Sequence, residues 1–473
     1  MSLSADVSAT LQPGFTGVEV PDWLREAHAD GLLSVALYGV NATPDDGLGP
    51  VCAGVRAALP GVLLAVDEEG GDVTRVHYPR GSSAVGNAVL GRLDDPSLTE
   101  AGGAAIAREL VALGIGLDLA PVVDVNSCDD NPVIGVRSFG ADAGLAARHG
   151  AAFVRGLQAG GVAGCAKHFP GHGDTVHDSH LGLPRVEAPV DVLRARELVP
   201  FAAAVEAGVA CVMTSHVLVP AVDPARPATF SSEVLALLRD ELGFDGVVVS
   251  DALDMAGASA VTGVPEAAVR ALAAGVDLLC LGSETGAERY RSVHAAVVEA
   301  VRSGRLPRGR VAEAARRVRA LAGRWAVDPD GSGTGPAGAD DAGEPLPADR
   351  VADAFALGDA VPDFLADPAP LAVVQVGSGA NVAVGGVAWG PAALTATIAE
   401  PDVPSGAKVA VVGRAVGPDH PARAVAARLV ADGHRVLLVE CGWPRGPVDV
   451  VTYGGSPAVA RALLDLLHDG KGG

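Results

Sequence analysis

The chain has 473 residues, room for one large and one smaller domain, and a formal net charge of −22. A field of that sign repels phosphate, which argues against a protein built chiefly to bind nucleic acid or an anionic membrane. With 49% hydrophobic and 19% charged residues, global disorder is excluded as well, and 61 glycines with 4% aromatics suit an Ala/Val/Gly-rich α/β protein.

The opening, Met1 to Val7, has no basic stretch followed by an apolar run, so no secretory signal is expected. No window reaches the ~18 uninterrupted apolar residues of a membrane span. The cysteines (Cys52, Cys128, Cys165, Cys211, Cys280 and Cys441) are far apart and form no CxxC pair. Cys165, Cys211 and Cys280 sit in apolar runs and read as small core residues, and a reducing cytoplasm is the expected location.

Up to about residue 325 one theme repeats: a short apolar, β-branched run ends in a polar residue or glycine, and an amphipathic stretch follows. The runs are Leu32–Val40 before Asn41, Val62–Val66 before Asp67, and Leu117–Val123 before Asp124. Then come Val162–Ala166 before Lys167 and His168, Ala210–Thr214 before Ser215 and His216, Val247–Val249 before Ser250 and Asp251, and Gly275–Leu281. Strands alternating with helices imply parallel β/α units. Seven such units fit a (β/α)8 TIM-type barrel over residues 1–325, with one unit degenerate or missing, better than an open sheet. Active sites of such barrels lie at the carboxyl ends of the strands, where Asp67, Asp124, Lys167, His168, His216 and Asp251 fall.

A helix over Arg310–Trp325 closes this region. Residues 326–369, rich in Gly, Pro and Asp, read as a linker. Residues 370–473 read as a small doubly wound α/β domain with strands at Leu371–Val376, Val409–Val412, Val436–Val439 and Val448–Thr452. Its helices are expected at Ala422–Ala431 and Ala458–Leu467. Gly377-Ser-Gly-Ala-Asn-Val lacks the third glycine of a dinucleotide loop, and no cofactor is expected.

The segment Lys167-His-Phe-Pro-Gly-His-Gly-Asp-Thr-Val-His-Asp-Ser-His-Leu-Gly-Leu-Pro184 packs four histidines and two aspartates into a Gly/Pro-broken loop. Three readings are open: a bland polar loop, a metal site from His168, His172, His177 and Asp178, or acid/base catalysis by Asp178 and His180. The metal spacings match no standard zinc motif. In an extended loop residues i and i+2 share a side, so the Asp178 carboxylate can orient the His180 ring. The strand before Asp251 delivers a carboxylate to the same barrel face. Asp251 could be a helix N-cap, but opposite an acid/base loop a nucleophile is the stronger reading. Asp254 is expected to be exposed on the helix start, His172 and His177 to structure the loop, and His216 to line the pocket or sit satisfied in the core.

Lys167-His-Phe-Pro-Gly-His-Gly-Asp-Thr followed by Asp-Ser-His resembles the signature of β-N-acetylglucosaminidases of glycoside hydrolase family 3. The likeness runs through Gly14-Phe15, Asp67-Glu-Glu-Gly-Gly71, Ala120-Pro-Val-Val-Asp-Val125, Asn131-Pro-Val-Ile-Gly-Val-Arg-Ser-Phe-Gly140, Met213-Thr-Ser-His216 and Gly243-Phe-Asp-Gly-Val-Val-Val-Ser-Asp251. It implies Asp251 as nucleophile, His180 as acid/base and Asp178 as its partner. It also implies sugar binding by Asp67, Arg75, Arg137, Lys167 and His168, to which the strand-end position adds Asp124. The implied activity is retaining, exo-acting removal of β-linked N-acetylglucosamine from wall fragments or chito-oligosaccharides. Phosphorolysis and a non-catalytic sugar-binding barrel are the alternatives. The sequence departs from the family pattern at Asp72, where a basic residue is common, and at Val136 and Ala252, where acidic ones are.

Overall fold

Short runs of apolar residues form strands where both faces can be buried; among the described residues ten strands lie between residues 11 and 280, eight of them in the parallel pairings below and two, Leu218–Val219 and Asp223–Pro227, in a separate antiparallel pair. The structure, a computed structural model, describes residues 2–176, 182–260, 262–327, 346–377 and 383–469. The strands Ser34–Leu37, Leu63–Val66, Leu117–Asp118, Ala163–Phe169, Cys211–Thr214 and Val247–Val249 pair in parallel, in chain order. Leu11–Gln12 pairs in parallel with Leu279–Cys280. Bonds from Ala36 N to Pro13 O (3.0 Å) and from Ser250 N to Leu278 O (2.9 Å) tie that pair to both edges of the six-stranded sheet. The parallel sheet therefore curls back on itself, an α/β TIM-like fold. The unit not recognised in the sequence is Leu11–Gln12, too short to carry a period.

Side chains alternate across the strands. Leu63, Ala65, Leu117, Cys165, Cys211, Met213, Val247 and Val249 share one core with Val318, Leu321 and Trp325. Leu64, Val66, Ala166, Val212 and Val248 belong to the larger core that includes residues of the surrounding helices. Helix Arg308–Trp325 thus stops the amino end of the barrel. At Gly116 a Cβ would lie 1.9 Å from the Trp325 carbonyl oxygen, so the two backbones touch there.

A second, five-stranded sheet runs in the order Ala356–Leu357, Val450–Val451, Val436–Glu440, Lys408–Gly413, Leu371–Gln375. All its pairings are parallel except that of Ala356–Leu357. One face (Val373, Ala410, Val412, Leu437, Val439) packs with Phe364 and helix Pro457–Asp469, the other (Ala372, Val374, Val409, Val411) with helix Pro421–Ala431. Part of the stretch expected as linker is therefore ordered. Helix Ala348–Ala352, strand Ala356–Leu357 and helix Val361–Ala366 add an edge and a cover to this sheet, burying Val351, Val361 and Phe364.

The carboxyl ends of both sheets face each other. Asp72, after the strand Leu63–Val66, pairs with Arg414, after Lys408–Gly413, at 3.1 Å, and its Oδ1 accepts from Gly455 N at 2.8 Å. Trp443 Nε1 donates to Asp129 (3.1 Å), and Arg445 Nη2 donates to Asn131 O (2.8 Å). All six cysteines are free. Among the described residues no helix is long and apolar enough to cross a membrane.

Candidate active site

Strand Ala163–Phe169 carries Lys167 into the barrel mouth, where its side chain is buried. An ammonium there needs partners, and Lys167 Nζ lies 2.7 Å from both Asp67 Oδ1 and Glu69 Oε1. Glu69 is also gripped by Arg137, whose Nε donates to Oε2 and Nη2 to Oε1, both at 2.8 Å. Burial works against the Glu69 charge, but Arg137 and Lys167 outweigh it and hold the carboxyl well below the usual range. Lys167 is therefore pinned rather than a mobile charge, and Asp67 is the partly exposed member of the pair.

Behind this network lies a second one. Asp124 is buried, its Oδ2 accepts from His168 Nδ1 at 2.7 Å, and its Oδ1 accepts from the backbone N of His172 at 2.7 Å. Burial opposes this charge too, yet His168 and His172 keep the Asp124 carboxyl below its ordinary value. The contact fixes the His168 tautomer: Nδ1 carries the proton, and Nε2 lies 3.4 Å from Arg137 Nη2. His172 bonds Thr175 Oγ1 through Nδ1 at 2.9 Å, and burial pushes its pKa down to about 4, so it is neutral near pH 7. The loop lies so close to its neighbour that a Cβ at Gly173 would be 1.8 Å from Val125 O.

Asp251 follows the strand Val247–Val249 and accepts from Ala252 N through Oδ1 at 2.8 Å. It lines a cavity of about 650 Å³ together with Asp67, Glu69, Arg75, Arg137, Lys167 and His168. Arg75 reaches this wall by donating Nη2 to Ala383 O at 2.7 Å, so a residue from the second sheet's segment completes the mouth. Asp124 stands behind His168 and is absent from the cavity wall among the described residues. His216 is buried, with Nδ1 2.9 Å from Thr229 Oγ1 and Nε2 3.0 Å from Ala252 O, and it braces the backbone beside Asp251 from outside that wall. His177, Asp178 and His180 lie outside the described residues.

Two groups were missed. Glu69, the hub of the cation network, was signalled by the paired carboxylates Glu68 and Glu69 after a strand end. Asp254 is not out in solvent: its side chain is 27% exposed, it lines the cavity, and burial raises its pKa. Room for it comes from Gly282 (φ +89°), where a Cβ would sit 2.0 Å from Asp254 Oδ2.

The family profile of the glycosyl hydrolase family 3 N terminal domain matches residues 35–321. A beta-hexosaminidase A from Pseudoalteromonas piscicida is 37% identical over 287 residues, 56% of this chain and 48% of that protein. The chain thus spans about half of that relative's length. A beta-hexosaminidase from Pseudomonas aeruginosa is 38% identical over 256 residues, 54% of this chain and 75% of the relative. Among solved structures, a glycoside hydrolase family 3 beta-N-acetylglucosaminidase from Paenibacillus sp. superposes with a TM-score of 0.85 at 31% identity, covering 99% of this chain and 97% of its own. A beta-N-acetylhexosaminidase from Beutenbergia cavernae gives 0.61 at 32% identity, covering 68% of this chain and 99% of its own. With the profile spanning more than half of its residues, the chain belongs to glycosyl hydrolase family 3 and is a glycoside hydrolase.

Proposed function

We propose that the chain is a retaining, exo-acting β-N-acetylglucosaminidase that removes a terminal, non-reducing β-linked N-acetylglucosamine, with wall fragments or chito-oligosaccharides as its substrates. The observation that carries this reading is the shared cavity. The Asp251 carboxylate lines a space walled also by the partly exposed carboxylates Asp67 and Asp254 and by the cations Arg75, Arg137 and Lys167. Asp67 accepts from sugar hydroxyls, while the guanidiniums and the ammonium donate to their oxygens. His168, its tautomer set by Asp124, presents Nε2 as an acceptor. Asp251 attacks the anomeric carbon to form a glycosyl ester, which water then cleaves. His180, oriented by Asp178, gives a proton to the leaving oxygen in the first step and takes one from water in the second. The N-acetyl specificity in the names of the Paenibacillus and Beutenbergia enzymes supports the N-acetyl preference.

The test is turnover of aryl β-glycosides of N-acetylglucosamine, N-acetylgalactosamine, glucose and xylose. The N-acetylglucosaminide should be preferred, and Asp251→Ala should lower kcat on the order of 10⁴-fold or more with the fold intact. His180→Ala should slow a poor leaving group by roughly 10²–10⁴-fold and an activated aryl group less. Equal losses on both would remove His180 from the role. A sugar 1-phosphate formed in phosphate buffer would identify a phosphorylase.

A further inference from the structure

Packed against the backbone of the site's histidine turn is a carboxyl that the proposed mechanism does not use. Glu197 ends a π-helical turn, Leu193–Glu197, that runs into the helix Leu198–Glu206, and its side chain is 1% exposed. A Cβ at Gly171 would sit 2.6 Å from Glu197 Oε2 and 3.0 Å from its Cβ, so the side chain rests directly on that glycine. Gly171 N donates to His168 O at 2.8 Å and closes the turn, and the next N–H, that of His172, donates to Asp124 Oδ1 at 2.7 Å. His168 and His172, at the two ends of this stretch, both line the Asp251 cavity.

The charges around Glu197 balance only when it is the neutral acid. Arg196 is the one cation paired with it among the described residues: Nε donates to Glu197 Oε1 and Nη2 to Asp174 Oδ2, both at 2.5 Å. One guanidinium thus serves two carboxyls. Asp174 is 33% exposed, so water solvates its charge. Glu197 Oε2 is buried and accepts no hydrogen bond among the described residues, a costly state for a carboxylate oxygen. Burial pushes Glu197 up to about 7, Arg196 opposes the push, and the charges of Asp124 and Asp174 add to it.

We propose that Glu197 is a positioning residue for the sugar-facing wall: as the neutral acid it seats the turn His168–Gly171, and through that turn it sets His168 and His172. Its ionised form adds a buried negative charge that opposes the Asp124 charge orienting His168, and the wall loosens. Glu197 touches no substrate and acts only through the backbone it packs on. The inference rests on reading the Asp251 cavity as the seat of the terminal sugar.

The test is the pH profile of kcat/KM, which reports groups of the free enzyme. The substrate is 2,4-dinitrophenyl N-acetyl-β-glucosaminide, whose leaving group departs without a proton, so that His180 drops out of the profile. The unmodified enzyme should slow as pH rises, with a midpoint near 7. It should be at least about threefold slower at about pH 8.5 than at about pH 6, while its far-ultraviolet circular dichroism stays constant. Glu197→Gln, uncharged at every pH and of the same shape, should show no such fall. Glu197→Ala, which leaves a gap beside Gly171, should raise KM by roughly tenfold at about pH 6 with kcat changed less, and Glu197→Gln should restore most of that loss. A flat profile in the unmodified enzyme, a fall that persists in Glu197→Gln, or a fall that follows loss of the dichroism signal overturns the positioning role and leaves the proposed activity standing. No turnover of the N-acetylglucosaminide by the unmodified enzyme at any pH overturns that activity and the role with it.

Discussion

Glu69 is the side chain through which the site's cations are held, and its removal exposes what the network costs. Glu69→Gln leaves Lys167 and Arg137, both buried, with one carboxylate fewer between them. Breaking a buried pair in this way costs about 3–5 kcal/mol, because the stranded charge stays behind. The expected outcome is a lower urea midpoint together with a raised KM. Titration adds a second prediction. His172 is held at about 4 in the fold and returns to 6.5 when unfolded. Between those values the unfolded chain binds the extra proton, so stability is full above about pH 6.5 and is lost as pH falls toward 4. Glu197, buried against Gly171, is the reverse: burial pushes it up to about 7 from 4.5. Its contribution is full below about pH 4.5 and is lost as pH rises through 7. Each is worth up to roughly 3 kcal/mol across its window. Relative to the unmodified chain, His172→Gln should therefore lose less stability on going from pH 8 to pH 4.5, and Glu197→Gln less on going from pH 4.5 to pH 8. Denaturant unfolding at several pH values checks both signs. Position along the chain made Asp67, Lys167 and His168 legible, because strand ends point at the mouth. Burial was not legible: the pinning of Lys167 and the placing of Asp254 depend on partners at residue 69 and residue 282.

At the level of elements, the loop after Ala163–Phe169 keeps its course by backbone contact. Gly173→Ala would put a methyl 1.8 Å from Val125 O, so one of the two backbones must shift. We expect the variant to fold, with near-normal far-ultraviolet circular dichroism, and to lose hydrolysis of an aryl N-acetylglucosaminide by at least about tenfold; unimpaired turnover would show that the loop tolerates the shift. The same local physics explains what could be read in advance. The apolar runs at Val62–Val66, Ala210–Thr214 and Val247–Val249 are continuous because both faces of a parallel strand are buried, and continuous runs stand out. Leu117–Val123 promised a long strand but yields Leu117–Asp118, since a bond from Val123 N to Lys167 O and the buried Asp124 take the chain over into the site. Leu11–Gln12 has no period at all. It becomes a strand because Leu279 and Cys280 offer it an edge. The ordered stretch from Ala348 to Ala366 was hidden for another reason: helices of five and six residues between prolines and aspartates resemble a linker until Phe364 finds the second sheet.

Over the whole molecule the question is what binds the second sheet to the first, and Asp72 gives a physical answer. In the sequence it stood out as a departure where a basic residue is common. In the structure it is 4% exposed in its side chain, paired with Arg414 and bonded to Gly455 N, both from the second sheet's segment. Arg414 in turn lies over the Trp389 ring at 4.6 Å. An acid at position 72 is therefore matched to a base at position 414, and the substitution makes sense only when both sheets are present. Asp72 sits three residues before Arg75, which itself reaches Ala383, so loosening this contact should be felt in the cavity that Asp251 lines. Asp72→Ala leaves a largely buried guanidinium without its partner and should cost about 3–5 kcal/mol. Arg414→Ala should cost a similar amount for the mirrored reason. If the pair acts as a unit, the double variant should be less damaged than the sum of the two by about 0.5–3 kcal/mol, the coupling read from a double-mutant cycle in urea. The same cycle run on KM for an aryl substrate tests whether the contact also positions Arg75. Coupling in stability with none in KM would confine the contact to holding the sheets together, whereas coupling in both would extend its influence to the cavity that contains Asp251.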